Sequence, residues 1–289
     1  MIWGDLWQMV RDGELGNHTF ADLALTTLPD ETDPEITEFV LTHLHGDSNS
    51  VVRYLTEDEK GKELRQRMED FYWQWLNAAK AGSEQQKILL DGYLRIAFSK
   101  KGLKRLRRIV DGQLLFPGLE VDQDRRWRLL RTLAEHRGET VRPLVQRELK
   151  RDNSSRAQKN LLSIEAAMPD RQKKRQMFQR LLSDDALTLA EQRSIMWNLF
   201  PAWQESMKKE IADLFYVSLE SLAKKQHDIF LYSFASNLAP LYCQPTGSER
   251  LKVYLKEKAA TLNPVVLKNL SVALQEDLRC QNIRLLSGS

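Results

Sequence analysis

Cysteine is nearly absent: Cys243 and Cys280 are the two among 289 residues. Two cysteines cannot build the dense disulfide framework of a small secreted scaffold, and their spacing fits no zinc-binding pattern. The expectation is therefore a pair of buried or idle thiols in a reducing, cytoplasmic setting. Proline and glycine are scarce as well, at nine and thirteen, beside 42% apolar and 29% charged residues; this excludes collagen-like, low-complexity and disordered classes. No apolar run approaches the ~18 residues of a membrane span. The opening segment has neither the charged start nor the small-residue cleavage site of a signal peptide, although a preceding segment could carry one. Charge of one sign is also lacking, since 43 cations stand against 40 anions for a net +3. Any basic function has to be local.

The familiar catalytic strings are missing too. There is no His-Glu-x-x-His for zinc, no Gly-x-Ser-x-Gly elbow, no phosphate-cradling Gly-x-x-x-x-Gly-Lys loop and no dinucleotide fingerprint. The five histidines are His18, His43, His45, His136 and His227. His43 and His45 lie two apart, which points them to different sides of a helix, so a surface pair at a helix end is expected. Asp184 and Asp185 read as helix-boundary residues and not as a catalytic pair.

What the chain does have is helical grammar. In "TDPEITEFVLTHLHG", Thr32 or Asp33 caps, Pro34 takes the first turn, Ile36, Phe39 and Val40 form a face, and Gly46 stops the helix. "TEDE", "SEQQ", "TLAE" and "TGSE", starting at Thr56, Ser83, Thr188 and Thr246, read as four capping boxes. Apolar stripes follow at Met68, Phe71 and Trp75, at Leu103, Leu106 and Val110, and at Leu129, Leu130 and Leu133. The last helix starts at Asn263 and Pro264 and carries Leu267, Leu270, Leu274 and Leu278. No alternating strand pattern stands out. The prediction is an all-α chain of about fifteen helices in antiparallel hairpins, recurring at roughly 35 to 40 residues as in a HEAT-like or armadillo-like superhelix. Residues 111 to 124, with Gly112, Pro117 and Gly118, interrupt the pattern. That stretch is expected to be a long connection, or a break between sub-bundles, inside one domain spanning 1–289.

The sharpest charge feature is "KKGLKRLRR": Lys100, Lys101, Lys104, Arg105, Arg107 and Arg108 with no acid among them. Lys104 and Arg108 are one turn apart and share a face opposite Leu103 and Leu106. A solvated face, an anion-binding surface for a peptide carboxylate and a nucleic-acid surface all fit this run. "RQKKR" at 171 to 175 reads as an exposed helix face behind the Asp170 cap. Trp73 and Trp75, two apart, cannot share a helical face, so one belongs to the core and the other is partly exposed. Trp3, Trp7, Trp127 and Trp197 read as packing residues.

One pattern extends along almost the whole chain. "LWQMVRDGEL" followed by "FADLALTTLPDETD" resembles the start of the C-terminal helical domain of the aminopeptidase N family of zinc metallopeptidases, a domain also found in endoplasmic-reticulum aminopeptidases. "VDQDRRWRLLRTLAEHRG", "ELKRDNS", "AAMPDRQKKRQMF" and "EDLRCQNIR" resemble later segments in the same order, and "NLFPAW" and "FASNLAPLYC" are looser matches. The resemblance runs from Trp3 to about Arg284. It implies that a β-domain and a thermolysin-like catalytic domain precede this region, and it explains an opening helix without an N-cap as a cut at a domain boundary, with Met1 at that boundary. It also implies that zinc and its ligands sit in the catalytic domain, because no family catalytic or metal residue has a counterpart here. The role implied for this chain is a non-catalytic cap that closes over the active-site cleft and encloses peptide. Its expected partners are the catalytic domain of the same polypeptide and the peptide, with no membrane and no nucleic acid. Candidate peptide contacts are Lys104, Arg105, Arg108 and Arg128. The alternative is a free-standing helical scaffold that binds protein or nucleic acid through its basic face.

Overall fold

The computed structural model describes residues 2–46 and 49–288, with side chains through 286. Met1, where the expected domain boundary falls, lies outside the described residues. Among those residues the chain is all-α: the sole β feature is an isolated bridge between Phe116 and Leu119. No helix among them is long and apolar enough to cross a membrane.

Two compact units divide the chain, Met1–Leu133 with Asn282–Ser289, and Ala134–Gln281. The first holds α1 (Ile2–Asp12), α2 (Asn17–Thr27), α3 (Pro34–His45), α4 (Val51–Tyr54), α5 (Glu59–Ala78), α6 (Glu84–Ile96) and α7 (Lys100–Val110). Helix α8 (Gln123–Arg137) begins there and ends in the second unit. The second continues with α9 (Arg142–Arg151), α10 (Ser155–Ala167), α11 (Arg171–Ser183), α12 (Leu189–Asn198), α13 (Ala212–Lys225), α14 (Asp228–Leu238), α15 (Pro245–Lys258) and most of α16 (Pro264–Gly288). Short 3-10 segments occupy Leu28–Asp30, Gly138–Val141 and Ala202–Ile211.

In the first unit α6 packs on both α3 and α5, around the fully buried rings of Tyr54, Tyr72, Tyr93 and Phe20. In the second, α12 packs on α10 and α14. The centre there is aromatic: Phe234 stacks on Phe215 at 5.1 Å and on Phe230 at 5.7 Å, and meets Phe178 at 5.6 Å. Rings in such offset contact add roughly 0.5–1.5 kcal/mol beyond the area they bury. The connection 111–124 lies within the first unit. Gly118, at φ +74°, backs onto Gly82, where an added Cβ would stand 2.8 Å from the Gly82 nitrogen, so only glycine fits this crossing.

Several local expectations hold. Asp33 caps α3 through the Glu35 amide at 2.8 Å, and Asn263 caps α16 through the Val265 amide at 2.8 Å. Thr188 and Glu191 form a complete capping box, whereas Ser83 caps α6 but Gln86 reaches back to the Gly82 amide, one residue earlier. Two of the expected boxes are not caps. Asp58, a better acceptor standing two residues later, caps α5 through Gly61, and Thr56 merely donates to it. Pro245 takes the first turn of α15, with Gln244 ahead of it, which places Thr246 inside the helix.

Side-chain placement corrects four further readings. The core face of α3 is Thr37, Val40, Leu41 and Leu44, while Ile36 and Phe39 are 38% and 44% exposed. Trp197 is 54% exposed under the Arg193 guanidinium, 4.4 Å from its ring centroid, and does not pack in the core. His43 and His45 are half-buried rather than a surface pair. His43 packs on Trp7 and bonds the Phe39 carbonyl, with its pKa lowered chiefly by burial, and His45 bonds the Tyr72 hydroxyl. Finally, Cys243 and Cys280 are joined in a disulfide, with Cα atoms 5.5 Å apart. Sequence separation could not show this, because the loop before α15 and the end of α16 meet only once the helices have packed. With both thiols bonded to each other, cysteine usage does not point to a reducing compartment.

Candidate functional site

The basic run forms α7, and the way this helix starts fixes what it presents. Ser99 caps it by accepting from the Gly102 amide at 3.0 Å. Glu69 of α5, fully buried, accepts from the amides of Phe98 and Ser99 at 2.7 and 2.8 Å and from the Ser99 hydroxyl at 2.6 Å. A carboxylate at a helix N-terminus meets both the unpaired amides and the positive end of the helix dipole. Leu103, Leu106, Ile109 and Val110 are buried on one side of α7, so Lys100, Lys101, Lys104, Arg107 and Arg108 are exposed on the other. Arg107 pairs with Asp111 at 2.8 Å. Lys104 and Arg108 have no carboxylate partner among the described residues.

Arg105 is different. Its guanidinium lies 3.9 Å from the centroid of the Trp73 ring and donates to the Tyr93 hydroxyl at 3.4 Å. Burial raises the Tyr93 pKa, against the pull of Arg105. Trp75 is the buried member of its pair, and Trp73, half-buried, also packs on Tyr93 and Phe116. Arg105 is thus engaged in an aromatic clamp joining α5, α6 and α7.

Arg128 lies on α8 and reaches α6. Its Nη1 donates to Asp91 Oδ1 at 2.8 Å. The same carboxylate takes Arg125 in a two-pronged pair, Nε to Oδ1 at 3.0 Å and Nη2 to Oδ2 at 2.9 Å, while Arg125 Nη1 reaches Asp122 at 2.8 Å. Burial opposes the charge on Arg125, but Asp91 and Asp122 outweigh it and the pKa is raised. For Arg128, burial together with repulsion from Arg95, Arg131 and Arg125 outweighs Asp91, and the pKa is lowered. Thr132 donates to the Leu94 carbonyl at 2.8 Å and fixes α8 on α6. The four candidates therefore separate into an exposed row (Lys104, Arg108), a packed arginine (Arg105) and an arginine oriented by a carboxylate (Arg128). No hydrogen bond or ion pair joins the row to Arg128.

The second unit holds a polar cluster that sequence reasoning missed. Lys174 is buried, unlike the exposed Arg171 and Arg175 of the same basic run, and its Nζ donates to the Ala166 carbonyl at 2.6 Å. Nearby, Glu135 accepts from the Trp203 indole at 3.0 Å, and Gln204 donates to the carbonyls of Glu135 and Ala167, each at 2.9 Å. The signal was present: Lys174 continues the stripe of Met177, Phe178 and Leu181. Arg171 and Arg175 do face outward, toward Glu210. An open cleft of about 450 Å³ lies beside them, lined by Gly138, Glu139, Met168, Pro169, Asp170 and Lys173 among others.

Among the described residues, no group of three or more His, Cys, Asp or Glu is placed to hold a metal ion. These side chains do not fit a zinc centre.

The sequence model of the family described as ERAP1-like C-terminal domain matches residues 1–274. Aminopeptidase N of Streptomyces lividans is 22% identical over 230 residues, which are 79% of this chain and 26% of that protein. The chain thus corresponds to about a quarter of the curated relative's length.

Proposed function

Since the chain belongs to the family of ERAP1-like C-terminal domains, we propose that it is the non-catalytic C-terminal domain, residues 1–289, of a larger zinc-dependent aminopeptidase. In this reading it caps the active-site cleft and encloses the peptide whose N-terminal residue is removed. The family match along nearly the whole chain carries the proposal, together with a relative named for that activity and nearly four times as long as the matched part. Helix hairpins stacked as a HEAT-like superhelix would supply a concave wall without needing a local catalytic centre. Helices α8 and α16 run unbroken through the division between the two units, which supports treating them as one domain. Zinc and its ligands belong to the rest of the enzyme, and no catalytic step is assigned to residues of this chain. Lys104, Arg105, Arg108 and Arg128 are the proposed peptide contacts.

The test compares the full-length enzyme with a form lacking this region on peptides of increasing length. Removal is expected to change the dependence on length more than the preference for the first side chain. The 289-residue chain alone is expected to leave aminoacyl p-nitroanilides intact; appreciable hydrolysis by it would refute the division of labour.

One observation favours a second reading. Lys104 and Arg108 on the exposed side of α7 have no carboxylate partner among the described residues, as a scaffold binding nucleic acid through a basic face would require. That reading calls for DNA or RNA binding that falls steeply with salt and disappears when the cations from Lys100 to Arg108 are neutralised. No binding at low salt would dispose of it.

A further inference from the structure

We propose that the disulfide between Cys243 and Cys280 is a redox latch, opened by a dithiol in the folded protein and closed again by oxidation, which sets how firmly residues 242–244 and the start of α15 are held on α16. This goes beyond the function proposed above and does not rest on it.

The bonds that fasten this segment converge on one face of α16, where Asp277 is followed by Cys280 and Gln281 at helical spacing. Cys280 holds Cys243 covalently. Asp277, buried, accepts from the Cys243 amide at 2.6 Å. Gln281 donates to Asp277 at 2.7 Å and to Ser248 of α15 at 3.0 Å. Gln281 is also the last residue of α16 in the second unit, so the latch closes where the helix leaves that unit.

Two features distinguish a latch from a permanent staple. Cys243, at φ +58°, is the sole non-glycine residue in the left-handed region among the described residues, a conformation in which Cβ crowds the backbone. The disulfide and Asp277 together hold it there, and opening relieves it; strain of this kind makes a disulfide easier to reduce. The segment is also short, non-helical and outside the core of the second unit, whose last member before it is Leu241. It can therefore lift without unfolding a helix. That lifting is the gate, because Cys243 and Cys280 are 4% and 1% exposed and a reductant reaches them only while the segment is open. One thiolate of the dithiol then attacks the Cys243 sulfur, the S–S bond breaks, and the Cys280 sulfur leaves with the electron pair and takes a proton from water. The second thiol of the reagent attacks its own bonded sulfur and releases Cys243, so two electrons and two protons pass to the protein and the reagent departs as a cyclic disulfide.

The test treats the 289-residue protein with dithiothreitol in native buffer, alkylates the released thiols with iodoacetamide and reads them by mass, beside the global unfolding rate extrapolated from urea. Reduction is expected to be at least about tenfold faster than unfolding. The reduced protein should keep its helical circular dichroism while residues 242–248 and 274–281 lose about tenfold in amide-exchange protection, and oxidised glutathione should restore it. Asp277→Ala, which removes the hydrogen bond to the Cys243 amide, should speed reduction roughly fivefold. Reduction no faster than unfolding would make the disulfide a permanent staple and overturn the latch. Native reduction without a change in exchange at those residues would show that opening moves nothing, and would overturn it as well. An unchanged rate in Asp277→Ala would overturn the place given to that hydrogen bond. The rate and exchange measurements use the unaltered protein, so a variant that folds poorly cannot obscure them.

Discussion

Lys174 shows how much one residue can depart from its neighbours. It sits in a run of cations, yet α11 turns it inward, where its ammonium meets the Ala166 carbonyl and lies 5.7 Å from the centroid of the Phe200 ring. Burial pulls its pKa down to about 7, against the attraction of Glu135 and Asp170. In the unfolded chain the same lysine has an ordinary pKa of about 10.4. Between those values the unfolded state binds the extra proton, so this residue makes stability rise with pH across that window. Below it both states are protonated and the penalty is complete. Replacing Lys174→Met should flatten the pH dependence of urea unfolding between roughly pH 7 and 10, by up to about 1.4 kcal/mol per pH unit. Parallel slopes for the two proteins would mean that the buried lysine keeps an ordinary pKa.

At the scale of the element, α7 illustrates what patterning reveals and what it hides. Its apolar stripe and exposed cations follow directly from three- and four-residue spacing, and both are where the spacing puts them. Its anchor does not follow, because Glu69 lies thirty residues before Ser99 and comes beside it only when α5 and α7 pack. Caps divide in the same way. Thr188 and Glu191 close a box without help from elsewhere, but at Thr56 and Thr246 a competing aspartate or proline decides the start. The Glu69 anchor also reverses a familiar rule. Gly to Ala inside an exposed helix gains up to about 1 kcal/mol, but a Cβ at Gly102 would stand 2.6 Å from Oε1 of Glu69, whose carboxylate accepts three hydrogen bonds. Gly102→Ala should therefore lose roughly 1–3 kcal/mol in urea unfolding. A stabilised variant would show that Glu69 is not held as described.

For the whole molecule, the all-α class and the family were legible in residues 2 to 284, because they depend on local periodicity and on the order of segments. The disulfide was not, since it depends on packing. It closes a loop of 37 residues, which on chain-entropy grounds contributes about 4 kcal/mol. The double replacement Cys243→Ser with Cys280→Ser should lower unfolding stability by roughly 2–4 kcal/mol, as should reduction of the unaltered protein. An unchanged urea midpoint in the double variant would argue that the link is incidental. The division into units carries one more consequence. Residues 282 to 289 belong with the opening helices: Ile283 is buried, and Arg284 Nη2 donates to the Arg53 carbonyl at 3.1 Å. The opening helices therefore cannot finish packing until residues 282 to 288 have been synthesised, and removing those residues would injure helices that stand more than two hundred positions earlier in the chain.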